Sequence, residues 1–342
     1  MPPTELPGFN PHGVRGFALP STDDVTVHAC PTRGLDVLDV RRGDTPLMWT
    51  HPAGHFGRPI GDLDHIEGFF TAGVENVGPP SMGLPLHGTF GWRCADELQS
   101  GEDDDGPYVA GVLRCTDMVR GPYLDVHRRV TALRDRPGFR VEDQLRATVA
   151  SEFMWLYHPN FRVADGTRLV ANPRTITARD EIADRGIERW ADFDDVGIGH
   201  AALPPDASRE QNFERCYVVD LQPDDDGGVT SMLVAADGGS GACVRYRGDF
   251  DNAQSKIHLW KNNRGGVCGM ERGQTFKGRQ WATENGLMSV VTPGSPRRYT
   301  VEVTFPSTAE AVADIVDRYD LGTTTPELRD SSHDLVSAYR PS

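Results

Sequence analysis

Lysine is nearly missing from this chain: Lys256, Lys261 and Lys277 are the only three, and 35 basic residues face 50 acidic ones for a formal net charge of −15. So acidic a composition argues against a nucleic acid or an anionic membrane as partner, because phosphate binding needs clustered basic side chains. No apolar run approaches the roughly 18 residues of a membrane span. The opening Met1-Pro2-Pro3-Thr4-Glu5 lacks a charged stretch leading into an apolar one, so no secretory signal is read and the cytoplasm is the expected address. The six cysteines (Cys30, Cys94, Cys115, Cys216, Cys243, Cys268) include no C-x-x-C pair, which predicts reduced, mostly buried thiols. Also missing are a G-x-G-x-x-G between strand and helix, a Walker phrase and a G-x-S-x-G elbow, which disfavours redox and nucleotide-dependent enzymes.

What is present has a period of two. In Arg298–Phe305, Tyr299, Val301, Val303 and Phe305 share one face while Thr300, Glu302 and Thr304 share the other. Phe139–Val149 alternates likewise, and both read as half-buried antiparallel strands. Further strand-like runs fall at 25–29, 35–41, 45–51, 108–119, 124–133, 152–158, 214–221, 230–236, 242–248, 256–261 and 286–292. With 37 Gly and 25 Pro supplying the punctuation, that rhythm predicts an all-β chain, a large antiparallel β-sandwich rather than βαβ units. Gln99–Pro107 and Gln222–Gly228, each with three consecutive Asp, read as solvated hairpin loops, with a calcium site as the sharper alternative. Helix is expected in one place: Ser307-Thr308-Ala309-Glu310 has the form of a capping box, opening a helix to about Tyr319. Its stripe of Ala311, Val312, Ile315 and Val316 would pack on the sandwich or, in a homodimer, on a partner subunit. No linker or repeat interrupts the chain, so residues 1–342 are expected to form a single domain, with a core over about 25–305 and a C-terminal helix and tail over 307–342.

Three phrases carry side chains suited to proton transfer: Leu84-Pro85-Leu86-His87-Gly88, Leu156-Tyr157-His158-Pro159-Asn160-Phe161 and Gly269-Met270-Glu271-Arg272-Gly273. Glycines around His87 allow close backbone approach, and Trp92 offers an apolar face for a sugar ring. His158 follows an apolar strand that Pro159 is expected to break, leaving the imidazole at a strand mouth. Glu271, beside an apolar run, would have a raised pKa suited to general-base work. Taken singly, each residue could equally be structural.

In order, the phrases resemble the aldose 1-epimerase (galactose mutarotase-like) superfamily: leucine-histidine-glycine followed by Gly91-Trp92, then a histidine after an aromatic strand, then a late glutamate. The closer resemblance is to an uncharacterised branch, through Thr71-Ala72-Gly73-Val74-Glu75-Asn76-Val77-Gly78, His158-Pro159-Asn160-Phe161 and Leu259-Trp260-Lys261. It implies a galactose mutarotase-like supersandwich that handles a small-molecule carbohydrate, with Glu271 taking the anomeric proton, His158 donating to the ring oxygen and His87 assisting, and no cofactor. Asn76, Trp92, Asn160, His258, Trp260, Lys261 and Arg272 are the candidate substrate-binding residues. The chain departs from characterised mutarotases where Arg272-Gly273 replaces proline-glutamine after the glutamate, and Gly54-His55-Phe56-Gly57-Arg58 only faintly echoes their early asparagine-glycine-arginine. Two alternatives stay open. His87, His158, His258 and Glu271 could hold a divalent metal for a sugar isomerase or epimerase. A non-catalytic carbohydrate-binding module could keep the cleft alone.

Overall fold

The computed structural model describes residues 3–6, 16–50, 68–119, 121–194, 214–262 and 265–339. Gly54–Arg58 lies outside them. Among the described residues the chain forms two large sheets packed face to face. The first has 13 strands, and its central run is Asp36–Arg42, Phe69–Val74, Ser151–Arg162, Val267–Gly273, Ile257–Asn262, Glu214–Leu221 and Pro173–Ala178. The second has nine, including Pro107–Asp117, Gly121–Ala132, Gly138–Ala147, Arg297–Thr304 and Gly241–Gly248. Among the described residues every strand pairing is antiparallel except that of Glu327–Arg329, which lies parallel to Pro173–Ala178.

Alternation decides which residues enter the interior. Along Ser151–Arg162, Phe153, Trp155, Tyr157 and Phe161 point between the sheets and join Leu19, Val27, Val109, Leu124 and Val301 in one core. Met154 and Leu156 point the other way, into a smaller cluster with Phe70, Val77, Ala282 and Tyr339 on the outer face of the first sheet. Burying such a side chain contributes roughly 1.5–3 kcal/mol, so neither face of this strand is free to slip by one residue.

The interior also holds a bridge of charges. Arg128, with no exposed side-chain surface, donates from Nε and Nη2 to the two oxygens of Asp143, both at 2.8 Å, and from Nη1 to Asp36. Thr71 donates to Asp36 at 2.9 Å and Tyr157 to Asp143 at 2.6 Å. Asp36, Thr71 and Tyr157 belong to the first sheet, Arg128 and Asp143 to the second, so the network ties the layers together.

Several expectations are adjusted. Pro159 does not end its strand, which runs on to Arg162. Gln99–Pro107 is not all loop: Asp96–Glu102 is an edge strand, and the turn that follows has Asp103 accepting from the N–H groups of Asp105 and Gly106. Among the described residues of 45–51 only Thr45–Pro46 is strand, and the run at 286–292 shortens to Ser289–Val291. The C-terminal helix is Ala309–Arg318, capped not by Ser307 but by Thr308, whose side chain accepts from the Ala311 N–H. Its Val312, Ile315 and Val316 pack on Met232 and Cys243 of the second sheet.

Candidate functional site

The site is a row of side chains laid across neighbouring strands on the outer face of the first sheet. Tyr157 pairs with Arg272 and Asn160 with Gly269, so the unbroken register sets His158 opposite Glu271. On its other flank Glu271 pairs with His258, while His158 pairs with Phe70. Phe70, His158, Glu271 and His258 therefore stand side by side, as directly opposed residues on one face of a sheet must.

His158 and Glu271 make the central contact, Nε2 to Oε1 at 3.1 Å, with both side chains about 5% exposed. Gly269 makes room for it. A Cβ there would lie 2.7 Å from Oε1 of Glu271 and 3.2 Å from Cε1 of His158. Phe70 stacks on His158 with ring centroids 4.5 Å apart, and Trp260 meets it at 6.0 Å. Burial raises the Glu271 pKa well above the ordinary carboxylate value and pushes that of His158 well below the ordinary imidazole value. Both shifts favour the uncharged pair, with one proton held between two neutral groups.

His87 arrives from a loop in left-handed backbone, φ 59°, a conformation costing on the order of 1–3 kcal/mol in a non-glycine residue. Asn76 holds that loop. Its amide donates to the carbonyls of Pro79 at 3.0 Å and Pro85 at 2.9 Å, and its Oδ1 accepts from the Arg279 N–H at 2.8 Å. The His87 ring lies 5.5 Å from that of His158 at 88°. Its Nδ1 accepts from the Gly78 N–H at 3.3 Å. A backbone N–H can only donate, so in the neutral ring the proton is on Nε2, which makes that nitrogen a donor. Burial lowers the His87 pKa to about 4, so the neutral form prevails near pH 7.

His87, His158, His258, Trp260 and Glu271 line a cavity of about 600 Å³ together with Leu86, Arg179, Glu214, Cys216, Phe276 and Lys277. The volume falls within the range of small-molecule sites, roughly 300–1,000 Å³. Arg179 forms the polar wall, donating to Glu214 at 2.9 Å and Asp180 at 3.0 Å, with its guanidinium 5.3 Å from the Phe276 ring centre. Two buried ring nitrogens, Nδ1 of His158 and Nδ1 of His258, have no hydrogen-bond partner, and the same holds for Oδ1 of Asn160. Buried polar atoms are ordinarily paired, so unpaired ones around a cavity are left free to bond a polar ligand.

Of the residues singled out from the sequence, His87, His158, His258, Trp260 and Glu271 line this cavity. Asn160 lies on the same face one row away. Four do not belong there. Asn76 is spent on the loop, and Trp92 closes the turn Phe90–Trp92 away from the cavity walls. Lys261 and Arg272 are each an odd number of residues from a site residue, so the pleat turns them to the interior face. There the Lys261 ammonium donates to the carbonyls of Trp190 and Asp192, at 2.9 and 2.6 Å, and Arg272 lies 4.2 Å from the Phe250 ring centre. The four-residue metal set shares the pocket, but Nε2 of His158 is engaged by Glu271 and Nε2 of His258 by Tyr339. Among the described residues no three His, Cys, Asp or Glu side chains are arranged to hold one ion. Arg179, Glu214, Cys216 and Phe70 were not anticipated. Their position follows from strand register, for which the sequence has no local signal.

A family model described as Domain of unknown function (DUF4432) matches residues 11–305. No curated protein matches the chain. Among solved structures it is similar to a candidate aldose 1-epimerase from Klebsiella pneumoniae subsp. pneumoniae MGH 78578, at 17% identity and a TM-score of 0.81, over 97% of this chain and 91% of that one. A galactose mutarotase-like protein from Clostridium acetobutylicum is similar at 9% identity and a TM-score of 0.58, over 90% and 98% of the two chains. A candidate mutarotase from Salmonella typhimurium is similar at 14% and 0.56, over 89% and 97%. Identities this low establish the fold, a galactose mutarotase-like sandwich, and leave chemistry to be argued from the site.

Proposed function

The chain belongs to the DUF4432 family, and we propose that its pocket interconverts the anomers of a sugar or sugar derivative by opening and reclosing the cyclic hemiacetal. The observation that carries this reading is the buried His158–Glu271 contact, 3.1 Å long, on the wall of a cavity with His87 as a further donor. Opening a hemiacetal requires one group to take the proton of the anomeric hydroxyl while another delivers a proton to the ring oxygen, as the bond from C1 to that oxygen breaks. Rotation about the C1–C2 bond and the reverse transfers then form the other anomer. The pair ends each turnover with the proton it began with, so no cofactor is called for.

The shared proton can rest on either member. Burial favours the uncharged arrangement, with Glu271 protonated as the starting acid and His158 as the starting base, the opposite of the roles the resemblance implies. The second half of the reaction exchanges those roles, so both members are needed in both directions. Each positioned proton transfer contributes typically ~10²–10⁴ in rate. His87 Nε2–H would steady the oxygen on which charge develops.

Anomer exchange followed by NMR magnetisation transfer over aldoses, uronic acids and deoxy sugars tests the reading. Wild type is expected to accelerate exchange of at least one sugar, and both His158→Ala and Glu271→Gln to abolish that acceleration. A wild-type protein that accelerates none of them would overturn it.

A further inference from the structure

Beyond residue 305, where the family match ends, the chain turns back to the pocket. Glu327–Arg329 adds a strand beside Pro173–Ala178. Ser331 is then pinned to the Asp184 carboxylate, through its N–H at 2.7 Å and its hydroxyl at 2.5 Å. The short helix Leu335–Ala338, capped by Asp334, delivers Tyr339 into the cluster behind the site row, where the ring is 2% exposed and meets Trp281 at 6.2 Å. Its hydroxyl lies 2.9 Å from Nε2 of His258.

His258 is the member of the row whose role the acid/base pair does not explain. It is 1% exposed, is flanked by the Phe276 ring at 4.8 Å, lines the cavity, and has an unpaired Nδ1. A neutral imidazole has one donor nitrogen and one acceptor nitrogen. A phenol O–H is a stronger acid than an imidazole N–H, so Tyr339 is the donor and Nε2 the acceptor. The ring proton then belongs to Nδ1, a donor with no acceptor in the protein.

We propose that Tyr339 is a positioning residue of the pocket: its hydroxyl holds His258 in the Nδ1–H form, so that Nδ1 donates to a hydroxyl or ring oxygen of the bound sugar. The ligand class rests on the anomer-exchange reading, and the effect on the ring does not. By this assignment the tail of the chain, outside the matched family region, completes the site.

Long-range ¹H–¹⁵N spectra of the imidazoles test it, with His258 assigned by the signal lost in His258→Asn. Wild type is expected to show a single Nδ1–H form, and Tyr339→Phe, which keeps the buried ring, a shift towards Nε2–H. With the sugar that wild type turns over, Tyr339→Phe is expected to raise KM roughly three- to tenfold with kcat nearly unchanged, the size of one lost hydrogen bond. In a His258→Asn background the same change is expected to cost nothing more, because it acts through the missing ring. An unaltered His258 spectrum in Tyr339→Phe, or an equal KM penalty without His258, would overturn the proposal. If wild type accelerates no sugar, the anomer-exchange reading fails, and the imidazole spectra alone decide the role of Tyr339.

Discussion

Tyr157 and His158 are adjacent in the chain and serve two buried polar clusters of opposite character. Tyr157 points between the sheets to Asp143, within a network where each polar atom of Arg128, Asp36 and Asp143 has a partner. His158 points outward to Glu271, in a row where two histidine nitrogens are left unpaired. Both clusters lie out of water. The complete one is a tie between layers, because a buried charge is tolerable only when its bonds are filled. The incomplete one borders a cavity, and its open valences are what a ligand can satisfy. Completeness, rather than burial or charge, is what distinguishes these two clusters.

Substitutions on the two sides should therefore separate activity from stability. Glu271→Gln keeps shape and burial, so anomer exchange should fall ~10²–10⁴-fold while the urea midpoint barely moves. Arg128→Met should do the reverse, since it leaves two buried carboxylates without a counter-charge. A loss of about 3–5 kcal/mol is expected in urea unfolding, with turnover per folded molecule retained. If Arg128→Met leaves stability intact, the comparison breaks on the structural side.

Acid sharpens the comparison next. Burial lowers the pKa of His87 from 6.5 to about 4 and of His258 to about 3. Below 6.5 the unfolded chain takes up protons that the folded one refuses, so stability is full above that value and is lost as pH falls. Each histidine removes about 1.4 kcal/mol per pH unit, or on the order of 3 kcal/mol for His87 by pH 4. Between pH 7 and 4 the urea midpoint of wild type should therefore fall by more than that of His87→Asn, which lacks this contribution. The smallest change is Gly269→Ala. Its methyl would meet the end of the Glu271 side chain and Cε1 of the His158 ring, both side chains rather than backbone, so the protein should fold with little loss. Displacing Glu271 from His158 should still cost about 10²-fold in exchange rate. An active Gly269→Ala would mean that the 3.1 Å contact is not the catalytic geometry.

Much of the sandwich was legible because alternation is local. Arg297–Thr304 and Gly138–Ala147 follow directly from their period of two. Phe69–Val74 escaped because all six residues are buried and no alternation is left to read. Of the residues the sequence points to, His87, His158 and Glu271 line one cavity while some of their chain neighbours do not. Arg272 and Lys261 adjoin Glu271 and Trp260 in sequence, yet in a strand the adjacent residue belongs to the opposite face.

By itself, then, the sequence determined the β architecture and the three phrases with His87, His158 and Glu271, since pattern and residue type are properties of short stretches of chain. Only the tertiary structure decided that His158, Glu271 and His258 share a row, that Arg179 walls the pocket and that Tyr339 returns to it. Register between strands depends on how whole sheets pack. That packing is settled by the joint burial of residues scattered along the chain rather than by any one segment.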